Sequence, residues 1–146
     1  MLLSPSKAAT TTSLSKRLSL WSVPRLLVVH LKRFRFSHDG SEKVMNHVQF
    51  PVRNFSLRQY RSDVGKVVDG APRPRDSPQS PDGALYQLVA VVVHHGRNLG
   101  GGHYTCFCKD SMNGRWYHFN DEHVAAVDEE VVCRSEAYML FYAQQD

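Results

Sequence analysis

Cysteine is scarce in this chain. Its 146 residues include three cysteines, Cys106, Cys108 and Cys133, which are odd in number and form no CxxC pair. This pattern argues against a disulfide scaffold and against a zinc ribbon, and it is typical of a reducing compartment. We therefore expect a cytoplasmic or nuclear protein that needs no metal and no other cofactor.

Long hydrophobic runs are missing too. No apolar stretch approaches the roughly 18 residues that a membrane-spanning helix needs. The chain is nevertheless 42% hydrophobic and contains seven Phe, six Tyr and two Trp, which is enough apolar material for a core. Its length suits one domain or part of one. The composition thus predicts a folded domain that has no membrane partner.

Acidic residues are absent from the first part of the chain. Residues 1–38 carry seven Lys or Arg and no acid, whereas residues 110–146 carry eight acids against Arg115 and Arg134. The net charge of +4 is small because these two regions partly cancel. Three of the early basic residues, Lys32, Arg33 and Arg35, lie within an apparent strand. We therefore expect no nucleic-acid partner.

Two segments have little tendency to fold. Residues 1–15 are rich in Ser, Thr and Ala without a hydrophobic period, which predicts disorder. Residues 61–84 contain Pro72, Pro74, Pro78 and Pro81 and read as a flexible surface insertion. Two alternatives remain for the N-terminus. Residues 1–20 could form a mitochondrial presequence, or could replace an upstream region in a truncated or alternative product.

The apolar runs in the first half predict strands. Arg25 to Phe36 is the longest candidate, and its first half is apolar on both faces, which predicts a central position in a sheet. Ser37 to Gly40 is a predicted turn. Val44 to Phe50 is then predicted to pair with the previous strand, and Phe55 to Tyr60 to form a short helix or an irregular turn.

The second half predicts a sheet with little helix. Leu85 to His95 is β-branched and apolar, as a central strand requires. Adjacent strand residues point to opposite faces, so His94 and His95 cannot ligate one ion together. Asp128 to Cys133 predicts a single helical turn, and Ala137 to Tyr142 a last buried strand. The expected fold class is α+β, with six or so strands in a mostly antiparallel sheet.

The stretch from Gly100 to Asp121 carries the most information. Its sequence, GGGHYTCFCKDSMNGRWYHFND, alternates as two short strands would, and Asn113-Gly114 favours a hairpin turn between them. Pairing centred on Ser111 or Met112 makes the numbers of opposed residues sum to about 223 or 224. That register places His103 opposite Asn120 or Asp121.

An imidazole beside an amide or carboxylate is what a general base in nucleophilic catalysis needs. The alternative is a purely structural hydrogen bond at the end of a strand. The glycines before His103 would let backbone or substrate approach closely. Cys106 and Cys108 are each an odd number of residues from His103, so the pleat turns them to the other face. Cys108 would also lie about 16 Å along the strand, and neither thiol is predicted to be the nucleophile.

Three ordered motifs resemble the ubiquitin-specific proteases, which are papain-like cysteine deubiquitinases. Gly101-Gly-His-Tyr104, followed by Trp116-Tyr-His-Phe-Asn-Asp121 and Val124, is similar to their histidine box. Trp21-Ser-Val-Pro-Arg-Leu-Leu-Val-Val-His-Leu-Lys-Arg-Phe34 resembles an upstream signature, and Ala137-Tyr-Met-Leu-Phe-Tyr142 a terminal one. The motifs together span roughly 120 residues.

The resemblance implies a mechanism and a set of catalytic residues. A cysteine thiolate attacks the carbonyl after the C-terminal Gly-Gly of ubiquitin, and a histidine moves the proton. His103 matches this base, Asn120 the residue that orients it, and Asp121 a neighbouring position that supports the leaving group or the oxyanion. At this stage either Asn120 or Asp121 could orient the imidazole.

The resemblance also implies substrate contacts and partners. Gly101 and Gly102 would border the channel for the Gly-Gly tail. We expect Tyr104 and Trp116 to pack the hairpin, and Tyr104 is also a candidate substrate-binding residue. The implied partners are ubiquitin and ubiquitinated proteins.

One element of the family pattern is not found. The family's nucleophile lies in a box with Asn followed within a few residues by Thr-Cys, and nothing in residues 1–30 resembles it. Residues 16–146 therefore match a partial catalytic domain, the palm and fingers of the papain-like fold. We expect this chain alone to be inactive. The alternatives are a non-catalytic ubiquitin-binding or scaffold fragment, and a product that does not fold alone.

Overall fold

The computed structural model describes residues 16, 18–20, 22–38, 40–61, 85–97 and 100–145. The predicted disordered segment, residues 1–15, lies outside these residues, and so does the predicted insertion apart from Arg61. The described residues form nine strands, a 3₁₀ helix (Arg58–Tyr60) and a short α-helix, α1 (Glu129–Cys133). The strands are β1 (Leu26–His30), β2 (Phe34–Ser37), β3 (Gly40–Lys43), β4 (Phe55–Ser56), β5 (Leu85–His95), β6 (His103–Lys109), β7 (Trp116–Asn120), β8 (His123–Val127) and β9 (Ala137–Gln144).

Seven of these strands form one sheet. Its order is β1-β9-β5-β6-β7-β8, and β4 pairs with β5 beside this path. β2 and β3 form a separate hairpin. All the named strand pairs are antiparallel, so the predicted mostly antiparallel sheet with little helix is confirmed. None of the helices in the described ranges is long and apolar enough to cross a membrane.

β5 is central in the sheet, as predicted. It has β6 on one side and β9 on the other, with register irregularities near Leu88 and Val92. Leu88 and Val91 are fully buried. A β-branched apolar run suits this position because both faces of the strand and both of its edges meet protein.

The first predicted strand is wrong in two respects. Instead of one strand over Arg25 to Phe36, β1 ends at His30 and β2 starts at Phe34. β1 is also an edge strand of the described sheet rather than a central one, and its Leu26 and Val28 are exposed. Apolar side chains on both sides of a strand indicate that its two faces can be buried. They do not indicate its position in the sheet, which depends on the strands that hydrogen-bond to its two edges.

The break between β1 and β2 contains a buried arginine. The Arg33 side chain turns inward and donates from Nε to the Ala137 carbonyl at 2.6 Å. Its Nη1 donates to the carbonyls of Val44, at 2.9 Å, and Asn46, at 2.8 Å. A guanidinium in the interior needs such acceptors, because an unpaired buried charge is costly. Arg33 thereby ties the chain after β3 to the main sheet.

The predicted strand over Val44 to Phe50 is also wrong. The strand that pairs with β2 is β3, because Ser37 opposes Gly40 across a tight turn and pairing begins at once. The predicted turn from Ser37 to Gly40 is thus confirmed. Residues 44–50 are irregular, and Arg33 takes two of their carbonyls in place of a neighbouring strand.

The shorter elements follow the predictions more closely. The stretch Phe55 to Tyr60 contains β4 and then the 3₁₀ helix. α1 confirms the single helical turn, and β9 confirms the last buried strand, since Leu140 and Tyr142 are buried. β8 was not predicted. Four of its five residues are exposed, so its sequence lacks the alternation of apolar and polar residues that indicates a half-buried strand.

The core gathers around β5, β9 and the β6–β7 hairpin. Val132 of α1 joins it and is fully buried. Two hydroxyl groups tie the preceding loops to the sheet: Tyr86 donates to the Pro24 carbonyl at 2.5 Å and Tyr142 to the Pro51 carbonyl at 2.9 Å. The buried core residues are Leu57, Tyr86, Leu88, Val91, Val93, Phe107, Trp116, Val132, Ala137, Leu140 and Tyr142.

Candidate active site

The β6–β7 hairpin forms where it was predicted, but in another register. Lys109 opposes Trp116 and Cys106 opposes Phe119, so the opposed numbers sum to 225. The Asp110 N–H donates to the Arg115 carbonyl at 2.9 Å, so the loop between the strands contains the predicted Asn113-Gly114 pair, and Gly114 has a φ of 70°. In this loop Asp110 Oδ1 accepts from the Met112 N–H at 2.8 Å. Aspartate commonly caps its own turn in this way.

This register makes His103 and Asn120 diagonal neighbours. The paired residues end at Cys106–Phe119, and continuing this register by one step puts Asn120 opposite Thr105. His103 is two residues further along the same face of β6. Diagonal side chains across a ladder are within reach of one another. The structure brings these two together: His103 Nε2 is 2.6 Å from Asn120 Oδ1.

A tight turn holds Asn120 and Asp121 beside the imidazole. Asn120 pairs with His123, so Asp121 and Glu122 form a two-residue turn between β7 and β8. Asp121 has a φ of 52°, a left-handed conformation that aspartate tolerates better than most residues. Its Oδ2 is 3.9 Å from His103 Nε2, beyond hydrogen-bonding distance. Asn120 is therefore the hydrogen-bond partner, and Asp121 contributes a nearby negative charge.

The hydrogen bond fixes the tautomer of His103. The Asn120 Oδ1 atom only accepts, so His103 Nε2 carries the proton and donates it. In the neutral ring the lone pair is then on Nδ1, which is the atom that can take up a proton. The His103 side chain is 45% exposed and that of Asp121 78%, so solvent screens the attraction between them.

A second histidine lies against the first. His95 is the cross-strand partner of His103. The two rings are stacked with centroids 6.2 Å apart and planes inclined by 27°. His95 Nε2 is 2.8 Å from the hydroxyl of Thr105, which is buried. Sequence reasoning considered His95 only as a metal ligand, since its pairing with His103 depends on the length of the loop between the strands.

The pKa of His95 is lowered, first by partial burial of its ring. The neighbouring His103, Lys43 and His118 lower it further, while Glu136 opposes them. The imidazole is accordingly neutral around pH 7. No group of three or more potential metal ligands forms within the part of the chain that the structure describes.

The two candidate glycines have different surroundings. A Cβ added at Gly102 would overlap the carbonyl oxygen of His95 and the ring of His94, whereas one at Gly101 meets nothing within 4 Å. Gly102 thus lets the chain approach β5, and Gly101 borders open space. Tyr104 is exposed and its ring lies 4.8 Å from that of His94. Substrate contact by these residues stays a prediction.

Trp116 packs in the core beneath the hairpin, as expected from the sequence. It is 3% exposed and belongs to the core. Its indole Nε1 donates to Glu129 Oε2 at 3.4 Å. The start of β7 is therefore fixed by α1 at one end, while Asn120 lies at the other.

The thiols of this chain are poorly suited to attack. Cys106 and Cys108 lie on regular β6, each an odd number of residues from His103, so they face away from it. Burial, and then the neighbouring Cys106, raise the pKa of Cys108 to about 11. The pKa of Cys133 is raised by burial and by Glu129.

Comparison with known proteins identifies the family. The family described as "Ubiquitin carboxyl-terminal hydrolase" matches residues 5–142. The chain belongs to this family. Members of the ubiquitin carboxyl-terminal hydrolase family are cysteine-type deubiquitinases, so the resemblance drawn from the three motifs is confirmed.

Similar proteins agree with this assignment. Ubiquitin carboxyl-terminal hydrolase 3 of Mus musculus is 40% identical over 131 residues, which cover 90% of this chain and 22% of that protein. Ubiquitin carboxyl-terminal hydrolase 4 of Rattus norvegicus is 38% identical over 132 residues, covering 90% of this chain and 12% of the relative. The chain thus spans less than a quarter of these relatives.

The fold matches solved structures as well. The SAGA Ubp8/Sgf11/Sus1/Sgf73 DUB module bound to ubiquitin aldehyde is similar with a TM-score of 0.69 and 28% identity. The match covers 88% of this chain and 26% of that one. The antiparallel sheet described above is therefore that of a deubiquitinase catalytic domain.

Proposed function

We propose that this chain supplies the general-base part of a thiol-dependent deubiquitinase, which hydrolyses (iso)peptide bonds after the C-terminal glycine of ubiquitin. The observation that carries the proposal is the hydrogen bond of 2.6 Å from His103 Nε2 to Asn120 Oδ1. In a family of cysteine-type deubiquitinases, such a pair has the chemistry of the base and its orienting residue.

The tautomer of His103 assigns each proton in this mechanism. Nδ1 takes the proton of a cysteine thiol, and the thiolate attacks the carbonyl of the last ubiquitin glycine. The imidazolium then returns the proton to the leaving amine, and water hydrolyses the thioester by the same base. Asn120 accepts from Nε2–H throughout. The Asp121 carboxylate, 3.9 Å away, places a negative charge near the ring, and solvent screens it.

The nucleophile is proposed to come from a segment outside these 146 residues. Cys106 and Cys108 face away from His103. The raised pKa values of Cys108 and Cys133 keep their thiols protonated at pH 7. We therefore infer that the chain alone does not cleave ubiquitin conjugates.

The proposed substrate is the Gly-Gly tail of ubiquitin, free or on a ubiquitinated protein. Gly101 presents open space directly before the base, and a narrow glycine tail suits such a path. A structurally similar module is bound to ubiquitin aldehyde, which supports ubiquitin as the ligand. The proposed location is the cytoplasm or nucleus, because three cysteines without a CxxC pair are typical of a protein in a reducing compartment.

A titration tests recognition by the chain itself. The ¹⁵N-labelled chain is titrated with ubiquitin and, as a matched control, with ubiquitin that lacks its last two glycines. We expect resonances of Gly101 and His103 to shift with intact ubiquitin and to shift much less with the truncated form. A folded chain that responds to neither would overturn tail recognition.

A chimaera tests catalysis. In it, this chain replaces the segment that it matches in the mouse relative, over 131 residues. We expect the chimaera to hydrolyse ubiquitin conjugates and to react with a ubiquitin carrying a thiol-reactive C-terminal group, whereas the isolated chain forms no adduct. His103→Ala should abolish hydrolysis. An adduct on the isolated chain that disappears in His103→Ala would instead mean that one of its own cysteines is activated.

A second candidate function is ubiquitin binding without catalysis. It is favoured by the orientation of Cys106 and Cys108 away from the base and by the raised pKa of Cys108. The same two experiments separate the candidates. Tail-dependent binding together with a folded but inactive chimaera would support the binding module.

A further inference from the structure

We propose that His95 is a positioning residue: its imidazole, anchored by Thr105, is the platform on which the His103 ring rests so that Nε2 stays directed at Asn120. The inference rests on the proposed function of His103 as the base. It adds a residue that neither the motifs nor the mechanism above requires.

The need for a platform follows from the hydrogen bonds of His103. Among the described residues, Asn120 Oδ1 is the one hydrogen-bond partner of its ring. A single hydrogen bond leaves the tilt of the ring, which rotation about χ1 and χ2 changes, weakly restrained, and this side chain is 45% exposed. A flat contact on one face restrains that tilt without using Nδ1.

The ladder places His95 where such a contact forms. His95 and His103 are directly opposed on β5 and β6, so their backbones fix the distance between the rings. The centroids are 6.2 Å apart and the planes are inclined by 27°, a stacked arrangement. Aromatic pairs at such separations are attractive when offset.

Thr105 holds the platform in place. Its hydroxyl is 2.8 Å from His95 Nε2, and the residue is 5% exposed. Thr105 and His103 lie on the same face of β6, two residues apart. One strand therefore carries both the base and the group that anchors its platform.

The charge of the platform suits this role. His103, Lys43 and His118 face His95 and disfavour a second positive charge, while Glu136 is the one acid among these groups. Burial lowers the pKa of His95 in the same direction. When His103 becomes an imidazolium during catalysis, the ring beneath it is then neutral and does not repel it.

The test measures the tautomer of His103 in this chain by ¹H–¹⁵N NMR at pH 8. We expect His95→Ala to lower the ratio of the Nε2–H to the Nδ1–H form by about three- to tenfold, the range expected for losing an aromatic contact. Thr105→Val, which keeps the shape but removes the hydroxyl, should lower it less. His95→Phe restores a flat ring and should keep the ratio within about twofold of the parent chain.

Removal of the exposed His47 by His47→Ala is the matched control and should change nothing. An unchanged ratio in His95→Ala would overturn the proposal. A ratio in His95→Phe as low as in His95→Ala would also overturn it, because the hydrogen bond of His95 and not its ring face would then matter. Since His95→Phe and Thr105→Val conserve volume, the proposal stays testable even where His95→Ala fails to fold.

This proposal and the proposed function fail separately. Hydrolysis by a His103→Ala chimaera would refute His103 as the base, whatever the tautomer ratios are. Loss of hydrolysis in that chimaera, together with an unchanged ratio in His95→Ala, would refute the platform alone.

Discussion

His103 and Asn120 are diagonal neighbours on β6 and β7, and a hydrogen bond of 2.6 Å joins their side chains. The contact depends on two features: the register of the hairpin and the tight turn after Asn120. A slip of one residue would turn Asn120 to the other face of the sheet, away from the imidazole. The candidate site is therefore as precise as the strand pairing that builds it.

The first prediction separates the roles of Asn120 and Asp121. In the chimaera, Asn120→Ala should lower kcat/KM by about 10²- to 10⁴-fold, because the proposed base, His103, loses its hydrogen-bond partner. Asp121→Asn should cost far less, since that carboxylate is 3.9 Å away and largely exposed. The measurement is hydrolysis of ubiquitin with a fluorescent leaving group. A larger loss in Asp121→Asn than in Asn120→Ala would assign orientation to Asp121.

A second prediction concerns the two glycines before His103. Gly102→Ala should destabilise the fold by about 1–3 kcal/mol, because the added methyl overlaps the His95 carbonyl and the His94 ring. Gly101→Ala is the matched control and should change stability by less than about 0.5 kcal/mol, because its Cβ meets open space. Denaturant midpoints at constant m-value measure both. Equal destabilisation by the two changes would contradict the contacts at Gly102.

A third prediction is a loss of stability in mild acid. Burial, and then Lys43, lower the pKa of His94, and the pKa of His95 is lowered too. The unfolded chain therefore binds more protons than the folded chain as the pH falls below the ordinary histidine pKa of about 6.5. The free energy of unfolding should be fully present above that pH and should decline from there towards pH 5.5.

His94→Gln tests the source of that decline. His94 is 4% exposed, so its environment differs strongly from that in the unfolded chain. We expect the variant to have a flatter dependence of unfolding free energy on pH between 7.5 and 5.5, measured by urea denaturation. A dependence as steep as that of the parent chain would show that other groups cause it.

A fourth prediction is that Cys108 reacts slowly. Its pKa is raised from 9.0 to about 11, so at pH 8 its thiolate fraction is about a hundredfold below that of an ordinary thiol. Mass spectrometry after alkylation at pH 8 should find Cys108 modified far more slowly than a cysteine in an unstructured peptide. Unfolding in urea should remove the difference. Rapid modification of the folded chain would argue against burial of this thiol.

The elements that were predicted correctly are those whose secondary structure depends on neighbouring residues in the sequence. β5, β9 and α1 form at the predicted places, because β-branched apolar runs and an acidic helix start act through neighbouring residues. The family also follows from the motifs alone. β8 was missed because its side chains are exposed and leave no alternation in the sequence.

The strand predictions were wrong where contacts between residues distant in sequence decide the secondary structure or the strand order. Val44 to Phe50 is apolar enough for a strand, but the tight turn before Gly40 starts pairing earlier, and Arg33 captures the carbonyls of Val44 and Asn46. β1 is an edge strand because strand order depends on all the other strands. Neither fact is present in the local sequence.

Local sequence patterns predicted that His103 lies on one strand of a hairpin and that Asn120 and Asp121 lie near it, at the open end of that hairpin. Two facts follow from the three-dimensional arrangement of the strands: Asn120 and not Asp121 bonds to the imidazole, and His95 lies against it. The reason is register. The register of β6 with β7 sets which side chain reaches His103, and the alignment of β5 with β6 sets which histidine stands opposite it. Pleat and pairing then convert one-residue differences into contact or separation.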